Sequence, residues 1–214
     1  MQKSKFTSTH LLASAVALAL TGLLVVTARA DDIVTAWASV KAPPAPELKS
    51  VTVDPKTTAL LMLDFLQANC GHGRRCTASL PIVKKLLDEA RAKNVLVVYT
   101  AFGKFSAKDV LPQVAPKGNE PFVVSFLDKY VGTNLDKILK DAGIKTVITV
   151  GSAANGAVLG TASASAQRGF NVIIPVDGVS SDDLYAEQSA VWNLAHAPVI
   201  AAKDTLTRID MIKF

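Results

Sequence analysis

Residues 146–160 read TVITVGSAANGAVLG, and this stretch decides the fold class. Its first five residues are apolar or β-branched, which predicts a strand buried on both faces. The small residues from Gly151 onward predict a tight turn into an Ala/Gly/Ser-rich helix at 155–167. A strand that leads directly into a helix is half of a β-α-β unit, so the same alternation is expected on either side.

Apolar runs and amphipathic stretches do alternate along the rest of the chain. Predicted strands lie at 58–63, 95–99, 122–124, 146–150 and 171–176, with a last short strand in 199–214. Predicted helices lie at 80–93, 135–142, 155–167 and 182–195. This order predicts an α/β fold, a three-layer α-β-α sandwich around a mostly parallel sheet of about six strands. In such folds ligands bind at the carboxyl ends of the strands.

The first 30 residues have the pattern of a secretory signal peptide. Lys3 and Lys5 precede the apolar run 11–26, and Ala28-Arg29-Ala30 supplies an A-x-A site that predicts cleavage after Ala30. The alternative is a membrane anchor, but the run has 16 residues, and a spanning helix needs about 20. We therefore predict a periplasmic or secreted protein without a stable membrane anchor after cleavage.

Removal of this segment changes the net charge of the protein and what that charge implies about partners. The 214 residues carry a formal charge of +5, with half of them apolar, which excludes a disordered chain. The signal segment holds three of the 23 basic residues and none of the 18 acidic ones, so the remainder has a net charge of +2. Its basic residues are scattered, which argues against a nucleic-acid partner. We predict a Pro-containing leader at 31–50 and one domain at 51–214.

The two cysteines lie six residues apart in the segment CGHGRRC. Because an exported protein meets an oxidising compartment, Cys70 and Cys76 are predicted to form a local disulfide. A metal site that adds His72 is the alternative, although the spacing matches no common zinc motif. A nucleophilic Cys70 is also possible, but only if its thiol is not paired with Cys76.

Two segments at predicted strand ends are candidates for chemistry. Asp64 follows the apolar strand 58–63, where burial would raise its pKa and suit it to general-acid work. The alternative is an Asp that caps a turn or pairs with a basic residue. Gly151–Ala157 opens the helix after the 146–150 strand and offers backbone N–H groups to an oxyanion. It contains neither a dinucleotide fingerprint nor a serine nucleophile elbow.

Three stretches together resemble the isochorismatase-like hydrolases, which include nicotinamidases and related cysteine hydrolases. They are LLMLDF at 60–65, TNLDKILKDAGIKTVITVG at 133–151 and GSAANGAVLGTASASAQRGFNVIIPVDG at 151–178. The amidases of that family use an Asp, a Lys and a Cys. The resemblance places the Asp at Asp64, the Cys at Ala157 and the Lys at Val124. Lys129 is near in sequence, but the register does not give it the role.

This variant of the family pattern bears on the mechanism. Without a thiol at Ala157, the thioester route of the amidases has no nucleophile. The resemblance also extends to isochorismatases proper, which hydrolyse a vinyl ether with the Asp as an acid and have no such cysteine. Gly151, Ala154 and Thr161 fit that version, with Asn155 where its His stands.

The resemblance implies further site features. A non-proline cis peptide is expected near Ser152–Ala153. Main-chain N–H groups of the segment 155–157 would hold an oxygen anion. The remaining substrate-binding residues are expected to be Phe65, Ser125, Ser152, Ala153, Asn155, Gly156 and Ala157.

No redox cofactor is implied, and no metal, because the stretch YTAFGKFSA lacks the His residues that bind zinc in some relatives. Relatives commonly form homo-oligomers. The leading hypothesis is a hydrolase of a small anionic molecule that uses Asp64. The competing hypothesis is an inactive pseudoenzyme that binds a small molecule or a partner, supported by the residues at 124 and 157.

Overall fold

The computed structural model describes residues 32–214, so the predicted signal peptide at 1–30 lies outside the described residues. The unit that carries the sheet runs from Pro44 to Phe214. Ahead of it, the described residues contain a single-turn 3-10 helix, Trp37–Ser39. Among the helices of residues 32–214, none has the length and apolar character that a bilayer span requires.

The centre of the fold is a parallel sheet, as the alternation of strands and helices predicts. The strands are β1 Val51–Thr52, β2 Thr58–Leu63, β3 Leu96–Ala101, β4 Phe122–Val124, β5 Thr146–Ser152, β6 Asn171–Pro175, β7 Val179–Ser180, β8 Asp204–Thr207 and β9 Ile212–Lys213. The order in the sheet is β4-β3-β2-β5-β6-β8, and β7 pairs with the last two residues of β5, past the point where β6 pairs with it. A separate two-stranded parallel ladder joins β1 to β9.

Helices cover both faces of the sheet, which confirms the three-layer α/β prediction. They are α1 Arg74–Ala92, α2 Leu135–Asp141, α3 Leu159–Gln167 and α4 Leu184–His196. All six residues of β2 are buried, and alternate side chains enter different cores. Leu60 and Met62 join the core that contains α1, whereas Leu61 and Leu63 join the core that contains α2, α3 and α4. A strand covered on both sides is therefore apolar without alternation.

Two helices begin four or more residues from their predicted starts. α1 begins at Arg74 instead of Leu80. Its first six residues, RRCTAS, are mostly polar or small and form no apolar stripe from which a helix could be predicted. The predicted helix 155–167 opens as a π-helical turn, Ala154–Val158, and only the rest is α3. Gly156 within the turn has φ −118° and ψ −105°, which no α-helix contains.

The edge strand β8 begins with the buried acid Asp204. Both carboxylate oxygens of Asp204 are buried, and neither has a hydrogen-bond partner in the part of the chain that the structure describes. Burial raises the pKa of Asp204 from 3.8 to about 8. The folded state therefore binds this proton more tightly than the unfolded state, so the free energy of unfolding falls as pH rises from about 4 to about 8.

Asp204→Asn is expected to stabilise the protein at alkaline pH. The amide cannot ionise, so the variant should exceed the parent in unfolding free energy by about 1–3 kcal/mol at pH 8.5, a value discounted for partial solvent access. The gain should vanish near pH 4. Urea denaturation across this range measures it, with Asp210→Asn as an exposed control. A constant difference at every pH would refute the role of ionisation.

Candidate active site

Asp64 lies immediately beyond β2 at the carboxyl edge of the sheet. It is 3% exposed, and its φ of 53° places it in the left-handed region, where Asp is among the better tolerated residues. Its Oδ1 accepts a 2.6 Å hydrogen bond from the Thr100 hydroxyl at the end of β3. Its Oδ2 lies 2.8 Å from the ammonium of Lys129. The carboxyl group is thus held at both oxygens.

Lys129 corrects the expectation that this chain lacks the lysine partner. Its side chain is fully buried, and the ammonium donates to three oxygens: Asp64 Oδ2, the Ala101 carbonyl at 3.1 Å and the Ser125 carbonyl at 2.9 Å. All three N–H donors of the ammonium are therefore used. Val124, where the resemblance places the lysine, ends β4 and is 42% exposed.

The reason lies in the segment Ser125–Thr133, which we name the lysine loop. It folds back on itself, because the Ser125 hydroxyl donates to the Val131 carbonyl and the Thr133 hydroxyl donates to the Lys129 carbonyl. This compact loop returns Lys129 to the strand ends although it lies five residues after Val124. Matching the sequence to the family pattern position by position cannot reveal that a loop folds back in this way.

The two charges of the pair are mutually dependent. Burial raises the pKa of Asp64, while the nearby Lys129 ammonium and the Thr100 hydroxyl lower it. Burial lowers the pKa of Lys129, and Asp64 opposes that change. Each group is therefore drawn toward its neutral form, which is the condition for a carboxyl group that gives up and regains a proton. The prediction that burial would raise the pKa of Asp64 is confirmed in direction.

The loop after β5 lies beside Asp64. Leu63 and Gly151 are paired in register, so Asp64 and Ser152 each follow that pair by one residue on neighbouring strands. Gly151 has a φ of 154°, and a Cβ there would lie 2.2 Å from the Leu63 carbonyl oxygen, so no side chain fits. The peptide bond between Ser152 and Ala153 is cis, as the resemblance implied.

The backbone N–H groups of this loop are not the open set that the sequence suggested. The Gly156 N–H donates to the Ala153 carbonyl at 3.0 Å, and the Val158 N–H donates to the same oxygen at 3.2 Å. The Asn155 N–H points at the Ser181 hydroxyl across 3.5 Å. Ala157 is buried among apolar side chains and offers no nucleophile. An oxyanion site at 155–157 therefore cannot use the Gly156 N–H without breaking an existing bond.

Three other residues that were predicted to bind substrate are packed in the core or already have hydrogen-bond partners. The Phe65 side chain is 1% exposed and belongs to the core that contains α1. Ser125 contributes its carbonyl to Lys129 and its hydroxyl to Val131, so both polar groups already have partners. The Asn155 side chain accepts a 2.9 Å hydrogen bond from the Ser181 hydroxyl.

A cavity of about 340 Å³ opens next to the cis peptide. Ser152 and Ala153 line it, as predicted. The other lining residues were not predicted to bind substrate, although His72 and Cys76 were noted for other roles: Ala68, Asn69, His72, Gly73, Cys76, Ser181 and Asp182. The Asn69 amide donates to the Ser152 carbonyl at 3.2 Å and joins the two walls. Asn69 lies only five residues after Asp64. Its closeness in sequence to the proposed acid was therefore the one signal from which a role at the site could have been predicted.

One of the lining residues, Cys76, belongs to the disulfide. Cys70 and Cys76 are bonded to each other, which confirms the predicted pairing. Because both sulfurs are in the disulfide, neither the alternative metal site with His72 nor the alternative of a nucleophilic Cys70 has a free thiol to use. Within residues 32–214, no group of three or more His, Cys, Asp or Glu side chains has the arrangement of a metal site.

Comparison with known proteins agrees with the sequence resemblance. Residues 58–204 match the profile of the isochorismatase domain family. A secreted isochorismatase effector of Verticillium dahliae, Isc1, is 30% identical in an alignment 118 residues long that covers 50% of this chain. The match spans 62% of that relative, less than two thirds of its length.

Solved structures share the fold at lower identity. An isochorismatase-like hydrolase from Alkaliphilus metalliredigens has a TM-score of 0.65 at 21% identity, covering 72% of this chain and 95% of the other. A cysteine hydrolase from Pseudomonas syringae has a TM-score of 0.66 at 18% identity, with 78% and 95% covered. A nicotinamidase from Staphylococcus aureus has a TM-score of 0.62 at 18% identity, with 70% and 96% covered.

Proposed function

The chain belongs to the isochorismatase family, and from this membership we propose that it is an exported hydrolase that cleaves a vinyl ether in a small anionic molecule. The observation that carries the proposal is the buried Asp64–Lys129 pair at the sheet edge, combined with Ala157 in place of a nucleophile. An acid without a thiol suits a reaction that begins with protonation. It does not suit acyl transfer through a thioester.

The reaction starts at the terminal carbon of the vinyl ether. Asp64 transfers its proton to that carbon, and the C–O carbon becomes an oxocarbenium ion. Water adds to this carbon and returns one proton to the Asp64 carboxylate, which leaves a hemiketal. The hemiketal collapses to a ketone and an alcohol, so the net change is ether plus water to ketone plus alcohol. Asp64 is the catalytic residue in this scheme.

Lys129 acts through Asp64 and does not contact the substrate. Its ammonium is completely buried and all its donors are used, so it is a positioning residue. When Asp64 has given up its proton, the ammonium 2.8 Å away stabilises the carboxylate. Burial has the opposite effect on the carboxylate and favours its return to the protonated form. The two effects on the pKa oppose each other, so Asp64 can be protonated or ionised at different steps of the reaction.

Support for the substrate class comes from the Verticillium relative. That protein is described as a secreted isochorismatase effector, and isochorismate is a vinyl ether that carries carboxylates. The cavity beside Ser152 and Ala153, about 340 Å³, is within the usual size range of small-molecule sites, and Asp64 is not among the residues that line it. The secreted relative, the disulfide and the predicted signal peptide together support export to the periplasm or the medium.

A product assay tests the proposal. The exported protein is incubated with isochorismate, and released pyruvate is measured through NADH oxidation by lactate dehydrogenase. Nicotinamide is offered in parallel, and ammonia is measured. We expect pyruvate release without ammonia release. Ammonia from nicotinamide without pyruvate from isochorismate would contradict the proposal.

The second candidate function is binding without turnover. It is favoured by the Asp64–Lys129 pair itself, because both side chains are almost completely buried and their polar atoms have partners. In that case isochorismate should raise the thermal unfolding temperature of the protein, while pyruvate is not released over hours. Thermal shift and the product assay on the same sample separate the two functions.

A further inference from the structure

The lysine loop rests on the start of α3 through one hydroxyl group. Thr161 is completely buried, and its Oγ1 donates to the Leu127 carbonyl at 3.1 Å. The same Oγ1 accepts from the Lys129 N–H at 3.3 Å. A single side chain on α3 therefore holds the loop backbone at Lys129 itself and two residues before it.

The neighbouring residue of α3 makes this contact possible. A Cβ at Gly160 would lie 2.8 Å from the Leu127 carbonyl oxygen and 3.0 Å from its carbon. The loop backbone thus packs directly against the α3 backbone, with no room for a side chain between them. This closeness brings the Leu127 carbonyl within reach of the short Thr161 side chain.

We propose that Thr161 is a positioning residue that sets the distance between Lys129 and Asp64. The Lys129 ammonium is anchored at its far end by Asp64, Ala101 and Ser125, and Thr161 fixes the main chain from which that side chain starts. Without the hydroxyl, the Leu127 carbonyl and the Lys129 N–H both lose a buried partner, so the loop shifts toward water.

A loop shift has an electrostatic consequence at Asp64. The groups that act on the Asp64 carboxyl are the Lys129 ammonium and the neutral Thr100 hydroxyl, both of which lower its pKa against the effect of burial. When Lys129 moves away, this opposition weakens, and the pKa of Asp64 rises further. The expected effect of the loop shift on catalysis rests on the proposed function, whereas its expected effect on the titration of Asp64 does not.

Carbon-13 NMR of the Asp64 carboxyl, recorded against pH without substrate, provides the test. We expect Thr161→Val, which has the same shape, to raise the Asp64 midpoint by at least half a pH unit. Thr161→Ser keeps the hydroxyl and should restore the parent midpoint. Thr149→Val is the matched control, because that buried hydroxyl has no hydrogen-bond partner within residues 32–214. A purely structural role would lower thermal stability and leave the midpoint in place.

Gly160→Ala approaches the same contact from the adjacent residue. It should displace the Leu127 carbonyl and raise the Asp64 midpoint even if Thr161→Val does not fold. In the pyruvate assay, Thr161→Val should reduce kcat about tenfold and leave KM nearly unchanged. It should also move the alkaline limb of the pH profile, where the acid loses its proton, to higher pH. An unchanged midpoint in both folded variants would overturn the proposal. A shifted midpoint without any turnover in the parent would retain it and reject only the hydrolase.

Discussion

Asp64→Asn is expected to reduce the turnover of a vinyl ether by about 10²- to 10⁴-fold, the usual contribution of a general acid. The amide has the size of the carboxyl group. Its oxygen can accept from Lys129, and its NH2 group would then face the Thr100 hydroxyl, which can rotate to accept, so most of the hydrogen-bond framework is kept. It cannot donate a proton to carbon. The loss should therefore fall on kcat and much less on KM.

Pyruvate release by parent and variant, at equal folded concentration, measures this loss. Circular dichroism and thermal unfolding confirm that the fold is retained. Asp141→Asn serves as the control, because it makes the same chemical change in an exposed ion pair on α2. If the Asp64→Asn enzyme turned over at the full rate, Asp64 would not be the general acid, whatever the substrate.

Lys129→Met is expected to have the largest effect on stability. Breaking a buried ion pair by removing one partner destabilises a protein by about 3–5 kcal/mol, because the other charge is left buried and uncompensated. Here the remaining group is Asp64, whose Oδ2 would lose its cation. Its pKa in the folded state, already raised by burial, should rise further above the unfolded value.

The sign of the pH dependence follows from that shift. An acid with a raised folded-state pKa stabilises the fold least at pH values above that pKa, so the defect should grow as pH increases from about 4. Urea denaturation at pH 5, 7 and 9 measures it. Lys137→Met, in an exposed pair, should remain close to the parent. The double variant Asp64→Asn/Lys129→Met should recover part of the loss. An equal defect at every pH would argue against the buried charge as its cause.

The strands were the most predictable part of the fold. β2 has the predicted bounds because a parallel strand covered on both faces is a continuous apolar run. The short edge strand β4 also has its predicted bounds. The start of α1 was missed, since its first turns are polar. The early π-helical turn before α3 was missed because small residues are compatible with several backbone conformations.

The candidate site was predictable where local sequence determines it. Asp64 at a strand end and the Cys70–Cys76 pairing depend on neighbours in the chain, and both were identified. Lys129 was rejected because its position depends on how the lysine loop closes and on a contact with Thr161, 32 residues away. Asn69 and Ser181 line the same cavity although they lie 112 residues apart in the chain. Such long-range contacts leave no periodic signal in a single sequence.

The ladder between β1 and β9 has a consequence for the order of folding. Val51 pairs with Ile212, and the Val53 N–H donates to the Lys213 carbonyl at 2.9 Å, so the two ends of the unit lie side by side. A chain that emerges from the ribosome cannot close this ladder before residue 213 has been synthesised. The domain is therefore completed only after translation of its last strand.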